Sequence, residues 1–258
     1  MNDWNPALYT RFEAERTRPA AELLARVPLE APRRVTDLGC GPGNSTELLA
    51  ARFAAARILG IDTSQAMLAS ARVRLPSLAF ERGDIADWSP EEPVDLAFAN
   101  ASLQWVPDHE RVFPRLVSML APGGVLAVQM PDNDAEPTHV LMRETAADPR
   151  FASAREKMPG ARPRVLSPHR YYDLLAPLAE VEIWRTTYFH RLPGAASIVQ
   201  WLRSAGLRPF LEPLTAEQQT DFLTEYERRI AAAYPQRVDG MRVLSFPRLF
   251  IVAQRSAS

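Results

Sequence analysis

The sequence predicts a doubly wound α/β fold, in which a mostly parallel seven-stranded sheet has helices on both faces and carries helical cap insertions. Short apolar runs alternate with helical stretches over residues 30–133. A glycine-rich turn joins the first of these strands to its helix. The composition, 47% hydrophobic and 24% charged, is typical of a globular chain with a sizeable core.

The first half of the chain carries the regular alternation. An N-terminal helix or helix pair is predicted over residues 6–25, from apolar positions at helical spacing. Strands are predicted at 33–39, 57–62, 78–84, 94–100 and 123–131, with helices at 45–53, 64–75 and 108–120 between them. Asn44 or Ser45 is predicted to cap the second helix. Strands separated by helices of this length favour parallel pairing.

The regular alternation of strands and helices ends after Pro131. Several prolines and one helical run at 140–147 follow, which we interpret as an inserted cap. Further on, strands are predicted at 180–192 and 243–255, and helices at 195–205 and 216–233. We therefore predict one domain, 1–258, whose sheet-containing core comprises 30–133, 180–191 and 242–254. The cap would comprise 134–178 and 192–240, together with the N-terminal helix.

Charge and cysteine content exclude several classes. The net charge of −1 provides no overall field for nucleic acid or an anionic membrane. The single cysteine, Cys40, excludes a disulfide framework, and the four histidines lack zinc-type spacing, so no metal is expected. With no leader or spanning segment apparent, we expect a cytoplasmic protein. The oligomeric state stays open.

The strongest local signal is VTDLGCGPGNST, where Gly39, Gly41 and Gly43 follow the first predicted strand. Glycine lets a ligand approach the backbone, and ligands of doubly wound sheets bind at this edge. The dinucleotide fingerprint requires a further glycine at position 44, which is Asn. This disfavours a dehydrogenase.

Two acidic residues end the next two predicted strands. Asp62 closes the second strand, where a carboxylate can accept hydrogen bonds from both ribose hydroxyls. Asp84 closes the third strand, positioned to meet an adenine amino group, with Ile85 beside it to pack on the ring. Each alone is typical of a solvated turn, but the three consecutive strand ends together indicate a nucleoside site.

The motifs DLGCGPGNST, GID, GDI and LAPGG resemble, in order and spacing, those of the class I methyltransferases that use S-adenosylmethionine. The resemblance implies a Rossmann-like sheet of seven strands with the last antiparallel, and S-adenosyl-L-homocysteine as product. It implies that the glycines and Asn100 face the methionine moiety, Asp62 the ribose, and Asp84 with Ile85 the adenine. The cofactor-binding residues it suggests are Tyr9, Asp37, Gly39, Gly41, Asp62, Thr63, Asp84, Ile85 and Asn100.

A narrower resemblance runs over nearly the whole chain. The segments DWNPALY, ANASLQWVPDH, VLAVQMPDN and FPRLFIVA are similar to those of the trans-aconitate 2-methyltransferases. That family implies monomethyl esterification of a tricarboxylate. Because a carboxylate is ionised at neutral pH and needs no general base, we nominate no catalytic acid, base or nucleophile. Instead the protein holds the reactants at attack distance.

A trianionic acceptor requires fixed donors, which arginine supplies as a planar fork. Candidate acceptor-binding residues are Gln104, Trp105, Arg143, Tyr188 and Arg248. An antiparallel last strand would start at the ligand edge of the sheet, which favours Arg248. Trp105 could instead pack in the core, and Arg143 could be a surface charge.

Two alternatives to this function stay open. The acceptor could be another free acid or a malonyl group on a carrier protein. The chain could also sense the cofactor without transferring its methyl group.

Overall fold

The computed structural model describes residues 13–156, 165–203 and 206–256. For residues 13–16 and 155–156 it describes the backbone only. Its contacts divide the chain into two compact units. Unit 1 comprises Met1–Pro131, Arg162–Thr186 and Leu249–Ser258, and unit 2 comprises Asp132–Ala161 and Thr187–Arg248. The single-domain interpretation stays a prediction. Residues 165–178, which we had assigned to the cap, group with unit 1.

A seven-stranded sheet has the strand order β3-β2-β1-β4-β5-β7-β6. The strands are β1 Arg34–Leu38, β2 Arg57–Asp62, β3 Ala79–Arg82, β4 Val94–Asn100, β5 Leu120–Pro131, β6 Ala179–Leu192 and β7 Arg242–Arg255. Pairing is parallel from β3 through β2, β1 and β4 to β5. The predicted fold class and all seven strands are thereby confirmed.

The last strand runs opposite to β5. In unit 1, the Gln254 side-chain amide donates to the Gly123 carbonyl at 3.1 Å. One residue later, the Arg255 guanidinium donates to the Leu120 carbonyl. The end of β7 therefore lies beside the beginning of β5, which makes the pair antiparallel.

Helices of unit 1 connect or cover the strands: α1 Glu13–Ala25, α2 Asn44–Arg52, α3 Gln65–Arg74, α4 His109–Ser118 and α7 Pro168–Leu175, with a 3₁₀ turn at Leu103–Trp105. The side chain of Ser64 caps α3 by accepting a hydrogen bond from Met67 N. The predicted cap of α2 is wrong. Gly43 occupies the N-cap with φ +92°, so the glycine loop enters the helix in the left-handed region and no side chain caps the helix.

The core of unit 1 lies around the central strands. Leu38, Phe98 and Val128, from β1, β4 and β5, are fully buried. Helix α4 adds Val112 and Phe113, one face of a strongly amphipathic helix. Strands buried on both faces carry apolar runs, such as 96–99 and 125–128, which explains why β4 and β5 were predictable.

Unit 2 is mainly helical: α5 Pro137–Ala146, a 3₁₀ turn Pro149–Phe151, α6 Ala152–Glu156, α8 Ala195–Arg203, α9 Arg208–Leu211 and α10 Ala216–Ala233. Helix α10 packs against α5 and α8 and starts with a capping box of Thr215 and Gln218. The buried Tyr226 hydroxyl donates to the Thr138 carbonyl at 2.9 Å, which ties α10 to α5. In the described part of the chain, no helix has the length and apolarity needed to cross a membrane.

Candidate active site

A cavity of about 350 Å³ opens in unit 1 at the carboxyl ends of the parallel strands. Its lining comprises Thr17, Ala20, Gly39, Cys40, Gly41, Pro42, Asn44, Ser45, Asp62, Thr63, Met67, Gly83, Asp84, Ile85, Asn100, Ala101, Ser102, Trp105, Val106 and Pro107. This size is at the lower end of the range for small-molecule sites. Four separate strand ends thus contribute to one cavity.

The glycine loop crosses the end of β1 in a conformation that depends on glycine. The backbone amides of Gly39 and Cys40 donate to the Ile61 carbonyl at 2.8 and 2.9 Å, joining the loop to β2. Gly39 has φ +74°, and a Cβ there would lie 2.4 Å from Ser102 Cβ. Gly41 has φ +54°, with no atom within 4 Å of an added Cβ. A ligand can therefore approach the backbone at Gly41.

Asp62 ends β2 and is tied to the loop. Its Oδ2 accepts a hydrogen bond from Gly41 N at 3.0 Å, and its Oδ1 accepts one from Ser64 N at 2.8 Å. A carboxylate offers about four acceptor sites, so Asp62 could also accept hydrogen bonds from a diol. The predicted neighbour Thr63 also lines the cavity.

The turn after β3 supplies a polar and an apolar residue. Asp84 is exposed, and its Oδ1 accepts a hydrogen bond from Ala86 N at 2.9 Å. Ile85 is buried with 7% of its surface exposed. Arg115 of α4 holds this turn by donating to the Ile85 and Trp88 carbonyls, a supporting role that the sequence analysis missed. The Asp84 carboxylate and the Ile85 side chain together could bind a flat ring that has polar groups at its edge.

Asp37 does not line the cavity, in contrast to the prediction. It is fully buried, and its Oδ2 accepts hydrogen bonds from the Ser45 and Thr46 hydroxyls at 2.8 and 2.6 Å. Burial raises the pKa of Asp37 to about 6; the bonds from Thr46 and Ser45 oppose the shift, and nearby Asp62 adds to it. Asp37 therefore fastens the start of α2 beneath the glycine loop.

The segment after β4 forms another wall. Asn100 lines the cavity, and its Oδ1 is buried without a hydrogen-bond partner among the described residues. Trp105, predicted to bind the acceptor, also lines the cavity. Gln104 does not: it is 9% exposed, and its Nε2 donates to the Ala101 carbonyl at 2.7 Å. The backbone thus holds the Gln104 amide that we expected to face a ligand.

The other predicted acceptor residues belong to unit 2. Arg248 is 3% exposed, and its guanidinium carbon lies 4.8 Å from the ring centre of Phe246 and 5.9 Å from that of Tyr188. Tyr188 is also buried. Arg143 is exposed and donates to the Asp134 carbonyl at 2.8 Å, which favours its alternative interpretation as a surface charge.

Sequence reasoning missed several residues that line the cavity, and one predicted residue lies outside the described part of the chain. Thr17 and Ala20, from α1, were not predicted although their spacing of three places them on one helix face. The buried Cys40 thiol was not predicted either, and desolvation raises its pKa. Tyr9 lies outside the described residues. That the predicted residues contact a ligand stays a prediction.

Sequence comparisons give full-length relatives. A methyltransferase domain family matches residues 35–124. The trans-aconitate 2-methyltransferase of Methylobacterium radiotolerans is 62% identical, with 100% of each chain covered. The protein of the same name from Paracidovorax citrulli is 60% identical, again with 100% of each chain covered.

Structural comparisons support the fold. YcgJ of Bacillus subtilis superposes with a TM-score of 0.62 at 12% identity, over 93% of this chain and 100% of that one. Phosphoethanolamine N-methyltransferase 2 of Haemonchus contortus, in complex with S-adenosyl-L-methionine, superposes with a TM-score of 0.56 at 17% identity, over 93% of this chain and 52% of that one. The structural likeness concerns the fold, whereas the full-length identity shows that this chain belongs to the trans-aconitate 2-methyltransferase family.

Proposed function

We propose that this protein transfers a methyl group from S-adenosylmethionine to one carboxylate of trans-aconitate, giving a monomethyl ester and S-adenosylhomocysteine. The observation that carries the proposal is the cavity in which the glycine loop is hydrogen-bonded to Asp62, with Asp84 and Asn100 on the same lining. The names of the full-length relatives support trans-aconitate as acceptor.

The residues present fit the cofactor. Asp62 would accept hydrogen bonds from the ribose hydroxyls, and Asp84 with Ile85 would hold the adenine. Asn100 Oδ1 is a buried acceptor that lacks a partner within the described residues. Such an atom is costly unless a ligand donates to it, and the ammonium group of the methionine moiety is a suitable donor. The backbone at Gly41 is open to the same ligand.

The cofactor supplies an electrophilic methyl group on a sulfonium. A carboxylate oxygen of the acceptor forms the new O–C bond as the S–C bond breaks, and the bonding pair stays on sulfur. Charge balances without proton transfer, because an anion and a sulfonium give a neutral ester group and a neutral thioether. The chain's task is to align the two partners, an effect worth about 7–11 kcal/mol in favourable cases.

The acceptor carries two carboxylates that do not react. We propose Arg248 as their main donor, because a guanidinium buried among aromatic rings offers a fork that water screens little. Trp105, which lines the cavity, and Tyr188 are further candidates. The Gln104 amide and Arg143 already donate to backbone carbonyls, which disfavours both as acceptor ligands. The partner is therefore a small anion rather than a nucleic acid or a membrane, and the cytoplasmic location stays a prediction.

The direct test is incubation with methyl-labelled S-adenosylmethionine and trans-aconitate, followed by mild alkali. We expect label in the acid that alkali releases as methanol. Parallel reactions contain other di- and tricarboxylates and a malonyl carrier protein. Efficient labelling of one of these, with none of trans-aconitate, would replace the acceptor and keep the methyltransferase activity. Tight cofactor binding without transfer to any acceptor would instead indicate a sensor.

A further inference from the structure

The segment between β4 and α4 is a strained wall of the cavity. Five of its residues line the cavity: Ala101, Ser102, Trp105, Val106 and Pro107. The segment begins at Ala101 with φ +53° and ends at Asp108 with φ +55°, although neither residue is glycine. Left-handed conformations at such residues persist only when surrounding contacts impose them.

A buried pair of side chains provides one of the contacts that hold this segment. His109 is 3% exposed and Tyr171, from α7, is fully buried. The His109 Nε2 lies 2.8 Å from the Leu103 carbonyl oxygen, and Nδ1 lies 2.6 Å from the Tyr171 hydroxyl. The rings also pack with Phe113, whose centroid is 5.1 Å from that of His109. Tyr171 thus connects α7 to the turn that carries Trp105.

The partners determine which nitrogen carries the proton. A carbonyl can only accept, so Nε2 of His109 must be the donor to Leu103. In the neutral ring Nδ1 is then an acceptor, and the Tyr171 hydroxyl donates to it. The hydroxyl oxygen in turn accepts from Leu166 N at 3.2 Å. Burial lowers the pKa of His109, which favours this neutral form.

We propose that His109 is a positioning residue for the cofactor: through the Leu103 carbonyl it holds the Leu103–Trp105 turn, and with it Trp105, in the form that closes the cavity wall. Tyr171 orients the imidazole from the other side. Without the bond, the strained segment populates other conformations. The apparent affinity for the cofactor then falls in proportion to the fraction of molecules that keeps the binding-competent conformation. This inference rests on the proposed function only in taking the cavity as the cofactor site.

Two substitutions of His109 separate the bond from the packing. His109→Phe keeps a ring against Phe113 and Tyr171 but removes the donor to Leu103. His109→Gln keeps an N–H at a similar reach. Calorimetry with S-adenosylhomocysteine should show affinity roughly tenfold weaker for His109→Phe and within roughly threefold of wild type for His109→Gln.

Tyr226→Phe is the matched control, because it also removes a buried hydrogen bond to a carbonyl, but in unit 2. It should lower the melting temperature without changing the affinity for S-adenosylhomocysteine. The positioning role would be overturned if His109→Phe kept the wild-type affinity. It would also be overturned if His109→Gln or Tyr226→Phe lost as much affinity as His109→Phe.

Tyr171→Phe provides the test if His109→Phe fails to fold. It removes the group that orients Nδ1, and we expect a roughly threefold loss of affinity. Wild-type affinity in this variant would contradict the inference. If the wild-type protein itself does not bind S-adenosylhomocysteine, the proposed function fails instead, so the two failures are distinguishable.

Discussion

The side-chain Oδ2 of Asp62 and the backbone nitrogen of Gly41 lie 3.0 Å apart and share a hydrogen bond. The two residues are 21 positions apart in the sequence, at the ends of neighbouring parallel strands. The Asp62 carboxylate would bind the ribose, and the glycine loop would face the methionine moiety. This bond ties the two together. The two halves of the cofactor would therefore meet one connected surface.

Asp62→Ala should weaken cofactor binding by about 1.5–3 kcal/mol, as expected for the loss of hydrogen bonds to a charged group. Calorimetry with S-adenosylhomocysteine measures this directly. Asp62→Asn is the companion variant, because its amide oxygen can still accept from Gly41 while the charge is lost, and we expect an intermediate loss. Wild-type affinity in Asp62→Ala would remove this residue from the cofactor site.

Gly39→Ala should be more damaging than Gly123→Ala. Both glycines have nearly the same φ, +74° and +75°, so an alanine at either position costs about 1–2 kcal/mol in backbone strain. Only at Gly39 would the new Cβ meet another atom, Ser102 Cβ at 2.4 Å. Urea unfolding should therefore show the larger loss for Gly39→Ala, and calorimetry a loss of cofactor affinity there alone. Equal losses would contradict the close approach of Gly39 and Ser102.

Arg248→Ala should raise the KM for trans-aconitate roughly tenfold to a hundredfold, as expected for the loss of a charged hydrogen-bond donor, and leave cofactor affinity unchanged. Initial rates and calorimetry separate the two effects. Arg191→Ala is the control, because this arginine is also in unit 2 but its side chain is 68% exposed and pairs with Asp239. Similar losses for both ligands in Arg248→Ala would indicate misfolding rather than acceptor binding.

Asp37→Asn should change how stability depends on pH. The pKa of Asp37 in the folded protein is raised to about 6, above its ordinary value of 3.8, so the folded state holds the proton more tightly than the unfolded state. This residue therefore makes stability fall as pH rises from about 4 to about 6, by at most about 3 kcal/mol. The variant lacks that decline.

Urea unfolding at several pH values tests this difference. The free energy of unfolding of Asp37→Asn, relative to wild type, should increase between pH 4 and 6 and level off above. A constant difference across this window would show that the Asp37 carboxyl does not titrate there.

Much of the fold was predictable because the buried strands carry local signals. Strand β4 was predicted with its observed bounds, since Val94 and the run 96–99 are apolar. Helix α10 was also predicted at 216–233, because its charged and apolar residues alternate at helical spacing. The start of α2 was predicted incorrectly, because Asn44 and Ser45 have the side chains of a cap while Gly43 has the backbone freedom that the loop requires.

The candidate site was predictable only where it follows the strand ends. Gly39, Gly41, Asp62, Asp84 and Asn100 end or follow parallel strands, and the topology brings such ends to one edge. Thr17 was missed because it lies on a helix before the first strand, follows no strand end and belongs to no motif.

The sequence by itself determined the order of strands and helices, the glycine loop and the family, because apolar periodicity and motif spacing are local properties of the chain. The tertiary structure decided that Asp37 is enclosed beneath the loop, that the Gln104 amide bonds to backbone, and that His109 and Tyr171 meet across 62 residues. These features depend on which side chains burial brings together and which polar partners they then find, and neither is encoded at any fixed spacing.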